Sequence, residues 1–371
     1  MFFIRGRQKT PLETIAEDLK KKHKLGESPS SITKSEEILL DKVRNKTQEL
    51  NVNNVTRTKA YLEFYLRYPD IHWAFLGHMV SRNGGWNMTD LKGELLTRLI
   101  AKKDRHLFFQ FLERGNWLIF QDVYPQFLLY EESLRLRKPM FHLFDHLNIS
   151  TFMKTIWNEY WSTHDTYILT VALVINEQSY LEKRVVQNAK YQKEVLNKFE
   201  FLLQDWLSFN HILFPYGNGK LAGQTLHQFE SLHERILLGK RLYHILFNNK
   251  EIHQMIVNWA KTHPHTGSRK DFWPHIFNSV NEGKPGFPYQ LHLKSCQLRA
   301  GANRIYSPAL ENAWKNINHK EAETGDWFAD WRVVEYLREI EENIDGEIKD
   351  EYCKTLERLE LAALAKKAII F

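Results

Sequence analysis

No proline stands between Pro139 and Pro215, and within that span apolar side chains recur at the three-to-four-residue spacing of a helix face. Proline removes a backbone donor and clashes with the preceding turn, so its absence leaves the helical hydrogen-bond ladder uninterrupted. Residues 263–308 carry five of the 11 prolines and read as irregular chain. No segment alternates apolar and polar residues convincingly enough for a half-buried strand, and there is no repeat period or low-complexity tract. The expected fold class is all-α: a multi-helix, bundle-like globular body with a helical N-terminal arm. At 371 residues, 43% hydrophobic and 13% aromatic, the chain can bury a large core, which excludes a mainly disordered or fibrous protein.

Local start and stop signals divide the chain. Thr10-Pro11-Leu12-Glu13 reads as a capped helix start, and that helix ends in the basic run Lys20 to Lys24 before Gly26. Glu27 to Ser31 is a short hinge, and Thr33 with Glu36 repeats the capping-box spacing. Residues 1–50 are therefore expected to form a helical, partly mobile arm, 51–320 the helical body, and 321–371 an acidic helical segment packing on that body. In the body, Val55 to Tyr68 and Ile71 to Met79 are apolar at helical spacing, with Pro69 as the break. Ser81 to Asn87 is expected to be a sharp loop, because Asn83-Gly84-Gly85 tolerates positive φ, with Asn87 capping the next helix. Ser162 is expected to cap a helix running to Val186, with Asp165 as its third residue. Further helices are expected over Val195 to Phe209 and Leu226 to Phe247, with a loop at Phe214 to Gly219. Ser307-Pro308 should open a helix through Trp314, and Trp327 to Tyr352 should begin the acidic C-terminal segment.

Two cysteines, Cys296 and Cys353, do not make a disulfide framework and fit a reducing cytoplasm. The short apolar run ahead of Arg5 is too brief for a signal peptide. The most apolar stretch, Tyr167 to Ile175, is nine residues long, against the ~20 that a transmembrane helix needs. A cytoplasmic protein without a transmembrane segment is the expectation. The formal charge of +6 is uneven, with a basic body and an acidic C-terminal end. No Arg-rich arm or nucleic-acid module accompanies it, so the charge reads as solvated helix faces with the acidic end docked on the body, and a nucleic-acid partner is not favoured.

The block Asn54-Val-Thr-Arg-Thr-Lys-Ala-Tyr-Leu62, followed by Pro69-Asp-Ile-His-Trp-Ala-Phe-Leu-Gly-His-Met-Val-Ser-Arg-Asn-Gly-Gly-Trp-Asn-Met-Thr-Asp-Leu91, resembles the YppC-like family of proteins from spore-forming Gram-positive bacteria. The match is densest over 53–94 and extends across most of 50–345. The resemblance implies a cytoplasmic, helical bacterial protein with no assigned activity, and it brings no catalytic residues.

Two groups of residues carry candidate chemistry. Around the expected 81–87 loop, Arg82 offers a guanidinium fork, Asn83 and Asn87 offer amides, Trp86 offers a stacking face, and His78 stands one turn earlier. These are the ingredients of a ligand-binding site, and they equally suit a rigid corner with Trp86 plugging the core and Arg82 paired with an acid. The second group is a metal set. His142 and His146 stand at i and i+4 on an expected helix, His164-Asp165 superficially resembles the pair of helical HD phosphohydrolases, and Glu177 lies on an apolar face. Such a carboxylate needs either a raised pKa or an ion-pair partner such as Arg184. Glu230-Ser-Leu-His233 matches one half of the carboxylate-bridged metal motif of ferritin-like bundles. The expected function is a non-catalytic binding protein with an aromatic and polar groove near 78–87, serving a protein partner or a small polar ligand. The alternative is a metal-dependent hydrolase of a phosphorylated substrate. No cofactor is identified, none being favoured over a divalent metal, and neither enzymatic activity nor oligomeric state is assigned.

Overall fold

A computed structural model describes residues 9–25, 31–191, 210–217, 219–283, 289–339 and 344–369. The expected Val195–Phe209 helix, nearly all of the Glu27–Ser31 hinge and the first five residues lie outside these.

The capping signals translate directly into helix starts. In α1 (Pro11–Leu25) the Glu13 amide donates to the Thr10 hydroxyl at 3.2 Å and the Thr10 amide to the Glu13 carboxylate at 2.8 Å. Thr33 and Glu36 close the same box on α2 (Lys34–Leu50), and Asn53 with Thr56 on α3 (Asn54–Arg67). Helix α1 lays Ile15 and Leu19 against α7 (Thr151–Thr163), while α2 lies on the 35-residue α6 (Lys102–Leu136). The fold is predominantly all-α, around one hydrophobic core that buries Trp73, Trp86, Trp157 and Trp273.

The expected loop at Ser81–Asn87 is not a loop. It is the middle of α4 (His72–Asp90), an unbroken helix ending in Asp90, so Asn87 caps nothing. Glycine in a helix interior costs about 1 kcal/mol relative to alanine, and here neighbouring elements require its lack of a side chain. A Cβ on Gly85 would lie 2.2 Å from Asn54 Oδ1 and 2.4 Å from His265 Nε2, and one on Gly84 would lie 3.2 Å from the Asn116 amide. The glycines serve close approach rather than positive φ. In and around α5 (Glu94–Leu99), the expected apolar stripe is buried at Leu91, Leu95, Leu96 and Ile100 and partly buried at Leu99.

A second departure is a β-hairpin, β1 (His211–Tyr216) against β2 (Lys220–Thr225), antiparallel with Leu213 opposite Gly223. It occupies part of the expected 214–219 loop. Four consecutive residues of β1, from Leu213 to Tyr216, are buried, so the strand has no polar face to produce alternation. Asn83 of α4 grips this strand like a neighbouring backbone: it accepts from the Leu213 amide at 2.8 Å and donates to the Leu213 carbonyl at 2.9 Å.

Ser150 caps α7, and Asp165, rather than Ser162, caps α8 (Thr166–Leu181) by accepting from the Ile168 amide at 2.9 Å. Ser162 turns back to the Asn158 carbonyl. Helix α9 (Leu232–Phe247) begins later than the expected Leu226, and α10 (Lys250–Thr262) follows it. The proline-rich 263–308 stretch is irregular apart from two-residue strand pairings, and α11 (Leu310–Ala313) is a single turn. The C-terminal part consists of a 3-10 segment, Trp331–Leu337, and α12 (Lys349–Ile369). Buried Glu360 of α12 accepts from the amides of His292 and Leu293 at 2.6 and 2.9 Å. Cys296 and Cys353, expected not to make a disulfide framework, form a disulfide with Cα atoms 5.3 Å apart. Their 57-residue separation hid a pairing that the docking of α12 creates.

Candidate functional site

One face of α4 borders a cavity. Gly77, Val80, Ser81, Gly84 and Asn87, spaced three and four residues apart, form that face, and α3, α6, α8 and α9, with Val185, Val186, Ile212 of β1, Leu226 and Phe229, contribute to the other walls. The cavity is partly open and has a volume of about 240 Å³. Its lining is mostly apolar, with Tyr61, Trp73, Phe111 and Phe229 among aliphatic side chains from Ile119, Val174, Leu181, Leu238 and Leu242. Glycines help to make the space. Gly115 on α6 meets nothing nearer than Leu181 Cδ2 at 3.9 Å from where its Cβ would lie, whereas Gly239 on α9 allows Val174 to approach within 2.4 Å of that position.

The ionisable groups of the wall are Arg57, Arg235 and Glu177. Arg57 pairs with buried Glu113 at 2.5 Å and Arg235 with Glu182, so both guanidiniums are neutralised. Among the described residues Glu177 has no such partner. Its Oε1 accepts from Gln178 Nε2 at 2.9 Å, and Gln178 Oε1 accepts from Arg235 Nε at 3.0 Å. Burial pushes the Glu177 carboxyl up to about 8, against a smaller downward pull from Arg235. Arg184, its expected partner, instead donates to the Glu323 and Gly325 carbonyls and lies over the Tyr180 ring.

Of the expected ligand-binding residues, only Asn87 reaches this cavity; the others lie elsewhere on α4. His78 Nδ1 donates to the Thr58 carbonyl at 2.8 Å, and its Nε2 accepts from Arg82 Nε at 3.0 Å. That geometry requires neutral imidazole, and burial together with Arg82 holds the His78 pKa well below its ordinary value. Arg82 also donates to the His263 carbonyl and stacks over Trp259, and burial lowers its pKa to about 10. Trp86 packs on Phe272 with centroids 4.7 Å apart and points its N–H toward Asp271. Asn83 holds β1, and Asn87 accepts from Arg269, which pairs with Asp90.

The expected metal residues are dispersed. His142 and His146 lie on a 3-10 segment, Phe141–Leu147, where three residues per turn place i and i+4 on different faces. His142 Nε2 meets Glu36 at 2.8 Å. His164 is the left-handed cap ending α7, Asp165 caps α8, and Glu177 faces the cavity. Glu230 precedes α9, so the Glu230–His233 motif is not carried on one helix. Among the described residues, no three His, Cys, Asp or Glu side chains gather to hold a metal ion, and no helix is long and apolar enough to cross a membrane.

Sequence reasoning singled out Glu177 but missed the cavity around it. The available signal was the recurrence of glycine within helical segments, at Gly77, Gly84, Gly115 and Gly239, all of which line it.

No solved structure matches the chain. The chain is similar to "Uncharacterized protein YppC" of Bacillus subtilis (strain 168), 42% identical over 233 residues that cover 63% of this chain and 72% of that protein. Residues 49–353 match the family described as "Protein of unknown function (DUF2515)". This match takes in α3 through the start of α12, and with it the whole cavity wall, so the chain belongs to the DUF2515 family of proteins of unknown function.

Proposed function

We propose that this protein is a non-catalytic binding protein whose ligand is a small, mainly apolar molecule held in the cavity beside α4. The observation that supports this reading is the cavity itself, about 240 Å³ and partly open, set among the helices of the body. An apolar wall with a few polar groups is the usual character of a small-molecule site. The proposed place of action is the cytoplasm.

Thermal unfolding with toluene or indole, small apolar probes, tests the reading. Both should raise the midpoint of the full chain by several degrees, and Gly115→Leu, which extends a side chain into the open volume, should abolish that rise while leaving the unliganded protein folded. No rise with either probe, or an equal rise in Gly115→Leu, would reject the cavity as the site.

A further inference from the structure

Glu177 carries the only ionisable side chain of the cavity wall without a countercharge among the described residues. The guanidiniums of Arg57 and Arg235 are matched by Glu113 and Glu182. The relay from Arg235 through Gln178 holds Glu177 Oε1, and among the described residues no donor is seen on Oε2. The wall around it is rich in aromatic rings, whose faces attract cations. Tyr61 and Trp73 stand edge-to-face with centroids 5.4 Å apart, and Phe111 and Phe229 lie 6.1 Å apart. The Tyr61 hydroxyl and the Trp73 N–H are buried and have no hydrogen-bond partner among the described residues.

We propose that the cavity selects a small amine, its ammonium on the free Oε2 of Glu177 and its apolar body among the surrounding rings. This rests on the reading of the cavity as the binding site and names the chemistry that the site prefers. The charge balance is explicit. In the empty site the Glu177 carboxyl, raised to about 8 by burial, is protonated at pH 7. An incoming ammonium favours the carboxylate, the proton leaves to solvent, and an ion pair replaces a neutral acid. Below about pH 8, amine affinity therefore rises close to tenfold per pH unit.

Calorimetry on the full chain with 2-phenylethylamine, 2-phenylethanol and 3-phenylpropionate compares a cation, a neutral molecule and an anion of similar size and shape. At pH 7 the amine should bind at least ten times more tightly than the alcohol, and in two buffers of different ionisation enthalpy it should release close to one proton. Glu177→Gln, which preserves shape, should remove both the preference and the proton release while still binding the alcohol. Equal or weaker binding of the amine, absence of proton release in the unsubstituted protein, or an intact amine preference in Glu177→Gln would each overturn the amine assignment and leave the cavity reading standing. Failure of all three probes to bind would overturn the cavity reading and the amine assignment with it.

Discussion

Glu177 keeps its proton to about pH 8, and Asp122, buried and bonded to Asn176 and Gln126, keeps its proton to about 7. In the unfolded chain both would ionise near pH 4, so across the interval the folded state binds more protons and rising pH disfavours it, by about 1.4 kcal/mol per unit for each group. His72 and His211 act in the opposite direction. Burial holds them near 4, so their contribution grows between pH 4 and 6.5 and is constant above that. His292, lowered by burial but raised on balance by Glu94, loses its contribution as pH rises through its own value and adds to the decline. Stability should therefore fall between pH 6.5 and 8. Urea midpoints should show Glu177→Gln declining less, by about 1.4 kcal/mol per pH unit over most of that window, and more stable than the unsubstituted protein at pH 8. An unchanged slope in the variant would mean that Glu177 ionises normally.

At the scale of elements, α4 runs unbroken through Asn83-Gly84-Gly85 because tertiary contacts outweigh the weak helix propensity of those residues. Gly85 and Gly115 both sit inside helices, yet alanine should act on them with opposite signs. At Gly115 the added methyl enters open volume 3.9 Å from Leu181 and restricts the unfolded chain, so stability should rise by about 0.5–1 kcal/mol. At Gly85 the same methyl overlaps Asn54 and His265, so stability should fall by about 1–3 kcal/mol. Denaturant titration of the two variants decides this. A gain at Gly85 would mean that α4 does not approach α3 and the 263–268 segment as closely as described. The capping boxes at Thr10 and Thr33 could be read from sequence because every participant lies within four residues, whereas the Asn53 box emerges only in the structure. The β1–β2 hairpin could not, because its apolar run faces α4 on one side and further core on the other and so loses the period-two signature.

For the whole molecule, the Cys296–Cys353 bond ties α12 to the 289–299 segment across 57 residues. Closing a loop of that length removes unfolded-chain entropy worth about 4 kcal/mol by the chain-entropy account. Reductant, or Cys353→Ser, should lower stability by up to that amount, measured as a shift in urea midpoint. No loss in either case would show that the α12 contacts alone hold the C-terminal end. Alkylation of thiols in intact cells, followed by mass analysis, should find both cysteines reduced if the protein resides in a reducing cytoplasm. Complete protection from alkylation would argue against that location.

Features that depend on neighbours in sequence were legible before any coordinates: the helical fold class, the Thr33 box, the buried stripe from Leu91 to Ile100, and Glu177 on an apolar face. Each rests on hydrogen bonds or a periodicity spanning a few residues. The fate of each polar side chain was not legible. His78, Arg82, Asn83 and Trp86 look alike whether a ligand or a neighbouring helix satisfies them, and only packing against β1, α10 and the 263–273 segment commits them to the interior. The absence of a countercharge at Glu177 among the described residues, the open volume beside Gly115 and the meeting of Cys296 with Cys353 likewise exist only once distant segments are brought together. Side-chain type and local spacing prescribe which helices form, whereas a cavity is a relation among helices, set by how closely their glycines and rings allow them to approach.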